Sequence, residues 1–431
     1  MKMLARIVFT ATIILLLMNI WTMSVNIKEV KATGNIFIRS DGTIDPATAP
    51  ISSLDGVTYA FTNTIYDEIV VEKNNIVIDG AGFSLQGTRT VNSTGMRLSG
   101  VSDVLIKRMN ITGFFSAIKL EWSADVDVVG NNFTGNDFGV WLHESTRIKV
   151  TGNSFQSGWC GISLEWSRNN IVQDNKVTDS EYGILLHWSS NNEVLGNSLE
   201  DNGCGISLSW SSDNNLEGNS MVNAVRRGSY GMRLHSSARN IITENRLSNS
   251  LHGVKLIYES NENLLVANNV TDHFYGIYLS YASNNIIHHN NFVGNVNQVS
   301  SYKSLNTWDD GYPSGGNYWS DYEGVDEKHG PEQDQSGSDG IGDTPYVIGE
   351  GNRDRYPIMG GVHQPPPIID LVFLYVISAA IVAAAVGLAY VLIRRRRKPK
   401  APEGFRVFKQ EPFSSRTRDS DSEILFTWMR E

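Results

Sequence analysis

A glycine, once replaced by alanine, returns along this chain at nearly fixed intervals: Gly95, Ala117, Gly139, Gly161, Gly183, Gly205, Gly231, Gly253 and Gly276. Every step is 22 residues except one of 26 and one of 23. A period in this range means a solenoid or an array of short repeats. Each unit carries short β-type runs broken by Asn, Ser and Gly, and shows no helical period. A leucine-rich repeat needs L-x-x-L-x-L spacing, which is missing. A propeller blade needs about twice the length.

The columns of the repeat say which side chains go inside. One past the anchor stand Ile118, Val140, Ile162, Ile184, Ile206, Met232, Val254 and Ile277. Three past is leucine throughout, from Leu98 to Leu279. Eleven past come Val128, Val150, Val172, Val194, Leu216 and Ile242, and sixteen past come Phe133, Phe155, Val177, Leu199, Met221 and Leu247. Three apolar runs per unit must share one interior. The simplest object is a coil of three short parallel strands, with successive coils stacked about 4.8 Å apart. Fourteen past the anchor is Asn131, Asn153, Asn175, Asn197, Asn219, Asn245 and Asn290, with Asn268 displaced by one. Asn tolerates the left-handed bend between strands. Stacked in every coil, its amide can also bond to the copies above and below.

The iterated pattern G-[IV]-x-L-x-W-S-x-N-N-x-[IV]-x-x-N, as in "GISLEWSRNNIVQDN" from Gly161 to Asn175, resembles the repeats of NosD-like proteins, also called carbohydrate-binding and sugar-hydrolase repeats. "NIVIDGAGFSLQG" (Asn75 to Gly87) is similar to their opening coil. "NYWSDYEG" (Asn317 to Gly324) and "DGIGDTPYVI" (Asp339 to Ile348) resemble the segment that closes the helix in archaeal surface proteins of this kind. The resemblance covers residues 35–360. It implies an all-β fold, a right-handed single-stranded parallel β-helix with three short strands per 22-residue coil. The helix would run over 35–300 and its closing segment over 301–360. The resemblance also implies carbohydrate binding, a copper-handling role like that of the family's founding member, or glycan hydrolysis or lysis.

The charge is unevenly spread. Net charge is -10, which excludes free nucleic acid as a natural partner. From Arg394 onward, however, 11 basic residues face 6 acidic ones. Lys2 and Arg6 precede an apolar run from Ile7 to Ile20, so residues 1–24 read as a signal peptide or N-terminal anchor. Leu371 to Ile393 holds no charge and is long enough to span a bilayer as a helix. "RRRRK" follows from Arg394 to Lys398, so residues 394–431 read as a cytoplasmic tail and the acidic body faces outward. Residues 361–370, with "QPPP", read as a stiff linker. This topology leaves a membrane-protein partner open.

In the strand G-I-x-L-x the second and fourth positions point outward. The fourth column reads Glu121, His143, Glu165, His187, Ser209 and His235. Trp141 stands beside it in the second column, where an exposed indole is a sugar-stacking platform. His143, Glu165 and His187 on neighbouring rungs form a candidate set for copper or another divalent metal. Glu121 and Glu165, two rungs apart, lie near the upper limit for an inverting glycosidase pair. The plain alternative is a solvated strand face with mildly favourable pairs. The 26-residue step inserts Arg226 and Arg227, which could overhang this face. Asp339 and Asp343 lie in an acid- and glycine-rich stretch with the texture of a calcium loop but not the EF-hand spacing. Asn92, Asn110, Asn132 and Asn269 begin glycosylation sequons. Five past the anchor, Trp122, Trp166, Trp188, Trp210, Tyr258 and Tyr281 read as corner packing. Cys160 and Cys204 share one column two rungs apart, beyond the roughly 7 Å reach of a disulfide, and read as buried free thiols.

Overall fold

The structure is a computed structural model, and it describes residues 34–224, 229–349 and 351–359. The leader or anchor over 1–24, Arg226, Arg227, the linker over 361–370, the apolar run over 371–393 and the tail over 394–431 lie outside the described residues. Among the described residues every regular element is a strand, and no helix is long and apolar enough to cross a membrane.

The apolar columns become three sheets of 13, 12 and 11 strands that enclose one core. Sequence neighbours sit in different sheets, and each strand pairs in parallel with its copy one repeat away. Leu164 lies opposite Leu186, and Leu186 opposite Leu208. The front sheet is built from six-residue strands such as Cys160–Glu165, Tyr182–His187 and Cys204–Ser209. The other two sheets use mostly three-residue strands such as Ile171–Gln173 and Lys176–Thr178, with six-residue strands Ser102–Lys107 and Ala124–Val129 in the early coils. The chain is therefore an all-β parallel β-helix. The 26-residue step leaves the register intact, since Leu208 still faces Leu234. The anchor is glycine because a Cβ at Gly161 would lie 2.6 Å from Val177 and 2.8 Å from the Gly183 carbonyl.

The asparagine column is a buried ladder. Asn175 Nδ2 donates to Asn197 Oδ1 at 3.0 Å, and Asn197 Nδ2 donates to Asn219 Oδ1 at 2.9 Å. The left-handed bend is not at these residues, contrary to the expectation. It falls one position earlier, at the exposed Asp174 (φ 52°) and at Gly196 (φ 60°) and Gly218 (φ 64°), where glycine carries no side chain to strain. The Asn itself must turn inward to bond its copies. Two further ladders run alongside. Asn170, Asn192 and Asn214 bond at 3.0 and 3.2 Å, and Ser189 and Ser211 each accept a backbone N–H from the rung before at 3.0 Å. Both were visible in the sequence as the repeated Ser after the aromatic and the second Asn of the pair. They satisfy buried corners that would otherwise leave unpaired amides.

Both ends are closed. At the start, antiparallel pairs join Ile36–Ile38 to Ile44–Asp45 and Ile51–Ser52 to Thr58–Phe61. At the far end Trp319 stacks on Phe292 (4.5 Å) and on Tyr346 (4.3 Å), covering the last coil. Its Nε1 donates to Asp354 at 2.9 Å, and the Asn317 backbone N–H donates to the same carboxylate at 2.7 Å. Burial pushes the Asp354 carboxyl up to about 7 despite these donors.

Candidate functional site

The outward columns of the front sheet form a continuous strip. Glu121, His143, Glu165 and His187 stand on successive strands in register. Glu165 is its centre. His143 Nδ1 lies 3.4 Å from Glu165 Oε2, in ion-pair range but without hydrogen-bond geometry. His187 Nδ1 lies 3.9 Å from Oε1, and Trp141 Nε1 donates to Oε2 at 3.3 Å. Glu121 pairs instead with Lys119 at 2.8 Å. Trp141 lies against Phe138 with Lys119 over its ring, so its faces are already engaged. His235 is separated from the ladder by Ser209 and braces the edges of Trp210 (5.1 Å) and Tyr258 (5.3 Å).

The exposed aromatic surface lies at the corner next to this strip. Trp166, Trp188 and Trp210 stack face to face at 5.0 and 4.9 Å, within 6° of parallel. They pack on one another as expected, yet they remain 52%, 40% and 43% exposed. All three hold left-handed backbones, with φ of 53°, 52° and 49°. A bulky residue in that region is a costly outlier. The column is interrupted: Glu144 replaces the aromatic between Trp122 and Trp166, and Ser236 replaces it between Trp210 and Tyr258. Two rungs, roughly 9.6 Å, thus separate Trp122 from Trp166. From Glu144 a groove of about 740 Å³ runs beside the stack, lined by Thr146, Trp166, Arg168, Trp188, Ser190 and Asn191 among others. Trp166 and Trp188 thus border a space edged by one carboxylate, one guanidinium and neutral polar groups.

The remaining candidates are dispersed. Asp343 accepts the backbone N–H of Glu327 and Lys328, whereas Asp339 accepts those of Ile341 and of the Gln333 side chain. The two carboxylates serve different turns. Asn92, Asn110 and Asn132 are exposed, while Asn269 is half-buried with its Oδ1 enclosed and unpartnered. Asn110 and Asn132 are register partners, so glycans on both would crowd. Cys160 and Cys204 are free and buried, as expected. Burial raises both thiols, Cys204 to about 12, which keeps them unreactive.

Fold and strip together define a parallel β-helix that displays one aromatic and polar face along its length. The chain belongs to the NosD family of periplasmic copper-binding proteins, whose family model matches residues 71–250 and 160–324. No curated protein matched the chain. Among solved structures it is similar to the A-module of a mannuronan C-5 epimerase from Azotobacter vinelandii, at 15% identity and TM-score 0.48, covering 64% of this chain and 87% of that one. It is also similar to the periplasmic alginate epimerase AlgG, at 15% identity and TM-score 0.42, over 59% and 80% of the two chains. The tailspike protein of an E. coli bacteriophage gives 13% identity and TM-score 0.45, over 56% and 55%.

The family name implies copper, and the ladder is the natural place to test it. His143 and His187 turn their Nδ1 atoms onto Glu165 from opposite sides, so the three side chains converge on a carboxylate and not on a common vacant point. Among the described residues no group of three or more His, Cys, Asp or Glu is arranged to hold a metal ion. In this arrangement the donor set does not fit a resident metal.

Proposed function

We propose that this protein is a carbohydrate-binding member of its family, held at the cell envelope by the apolar run from Leu371 to Ile393, with the β-helix outside and the basic tail inside. The observation that carries the reading is the exposed indole corner, Trp166, Trp188 and Trp210, with a polar groove beside it. The fold does not require aromatics there, because Glu144 and Ser236 occupy equivalent corners. A local outlier kept at three successive rungs points to use at the surface. An indole face beside Glu144, Arg168 and Asn191 offers a sugar its two needs, an apolar plane for the C–H face and polar edges for the hydroxyls.

The test is glycan-array screening of the full-length protein, followed by calorimetry with the best oligosaccharide. Trp166→Ala should weaken binding at least tenfold, and bound sugar should shift the tryptophan fluorescence of the wild type. If no glycan binds, or Trp166→Ala binds unchanged, the reading is wrong. The family's name supports metal handling as a second reading, and copper retained after dialysis would favour it. New reducing ends or unsaturated sugars would favour catalysis on glycans instead.

A further inference from the structure

The front face changes character beyond Ser209. Arg233 and Lys255 occupy the outward second column on adjacent strands, directly opposite one another. Like charges so placed repel and destabilise a sheet. Several cations elsewhere in this acidic chain are paired with carboxylates, among them Lys119 with Glu121, Arg147 with Asp125, Arg239 with Asp213 and Arg355 with Asp309. Among the described residues, neither Arg233 nor Lys255 has a carboxylate within ion-pair distance. The neighbouring fourth-column positions, which carry Glu121 and Glu165 lower down, here carry His235, Ile257 and Ser280.

Aromatic rings wall the pair instead. Lys255 Nζ lies 5.0 Å from the Tyr230 ring centre and 5.1 Å from that of Tyr278, and the Arg233 guanidinium lies 5.9 Å from Tyr230. His252 is buried between Tyr230 and Tyr275, each 5.2 Å away, and its enclosed Nδ1 has no hydrogen-bond partner. Half-buried as it is, the ammonium is held below its ordinary pKa by burial and by Arg233. Two uncompensated cations on a rigid sheet, ringed by tyrosines, are arranged for an anion that brings an apolar ring with it.

We propose that Arg233, Lys255, Tyr230 and Tyr278 form a subsite for a sugar residue bearing a negative charge, carboxylate or sulfate. The pyranose would rest against the tyrosine rings and the anionic group would lie between the two cations. This rests on the carbohydrate reading for the ligand class, but it uses none of the residues of the indole corner. It makes the chain a selector of anionic over neutral glycans.

The experiment uses full-length protein and three probes: an oligogalacturonate, its methyl-esterified neutral counterpart, and a sulfated galactan oligomer of equal length. Binding is measured by calorimetry at low and moderate salt. In parallel, acetylation of Lys255 by acetic anhydride is followed by peptide mass spectrometry. The charged probes should bind at least tenfold more tightly than the neutral one, lose affinity as salt rises, and protect Lys255. A carboxylated probe that outbinds the sulfated one, or the reverse, identifies which anion the subsite takes. Arg233→Gln/Lys255→Gln should remove the preference, and Lys255→Arg, which keeps the charge, should retain it. Circular dichroism melting of each variant checks the fold. Equal binding of charged and neutral probes, or failure of both charged probes to protect Lys255, overturns the subsite. Loss of binding in Trp166→Ala, with the anionic preference unaffected by Arg233→Gln/Lys255→Gln, overturns it while leaving the indole corner standing. The opposite pattern supports the subsite and rejects the corner.

Discussion

Each Asn of the main ladder meets several demands with one amide. Asn197 Nδ2 donates to the Val172 carbonyl at 2.9 Å and to Asn219 Oδ1 at 2.9 Å. Its Oδ1 accepts both the backbone N–H and the Nδ2 of Asn175, each at 3.0 Å. An unmet buried polar group costs about 1–3 kcal/mol. Asn197→Ala strands groups on the rungs to both sides, so it should cost about 2–4 kcal/mol of stability in urea unfolding. Asp at this site should be at least as harmful, because it cannot donate upward. The leucine column offers an independent measure. Leu186 is fully buried, and Leu186→Ala should cost about 2–5 kcal/mol. A cost below roughly 0.5 kcal/mol at either position would contradict the packing described here.

The closing segment is the element on which pH acts most directly. Asp354 is fully buried beneath Trp319, and its carboxyl is raised to about 7 by desolvation. A carboxyl with a raised folded value binds more protons folded than unfolded between its ordinary value near 4 and 7. Its contribution to stability is therefore fully present below about pH 4 and is lost as pH rises towards 7. Asp354→Asn should flatten this dependence while lowering the maximum, because both oxygens accept N–H groups, Oδ2 from Trp319 and Asn317 and Oδ1 from Tyr356, and the amide turns one of them into a donor. Near-ultraviolet circular dichroism of the Trp308–Trp319 cluster, followed through thermal melts from pH 4 to 8, would report it. Melting temperatures of wild type and Asp354→Asn that change in parallel over that range would refute the account.

At the scale of the molecule the period told most of what there was to know. Strand number per coil, the inward columns, the first ladder and the outward Glu and His column all follow from side-chain alternation at one register. What the sequence hid depends on backbone sign and exposure. The aromatic column was legible, but whether its rings are covered depends on the left-handed turn that lifts them off the core. Likewise, Arg233 and Lys255 were readable as outward residues, but their lack of carboxylate partners is a property of the packed face. The same unevenness along the axis leads to a prediction about the whole solenoid. Its buried histidines, His252, His273 and His288, all lie in the C-terminal coils. Each is held down to about 4, chiefly by burial, with Lys255 adding to the effect at His252 and His289 at His288. A histidine lowered on folding binds fewer protons folded than unfolded between about 4 and its ordinary 6.5. Its contribution is complete above 6.5 and is lost as pH falls towards 4, opposite in sign to that of Asp354. Three such groups outweigh one carboxyl in the same coils. Because a solenoid's stability is a sum of neighbouring terms, local loss need not propagate at once. Hydrogen exchange measured stepwise from pH 7 to pH 4, corrected for intrinsic rates, should therefore show protection failing first in the strands His252–Ile257, Tyr275–Ser280 and Ile286–His288. The coils around Ile118, Val140 and Ile162 should still be protected at that point. Uniform loss along the axis, or first loss among those earlier coils, would show that buried imidazoles do not set the acid limit of this fold.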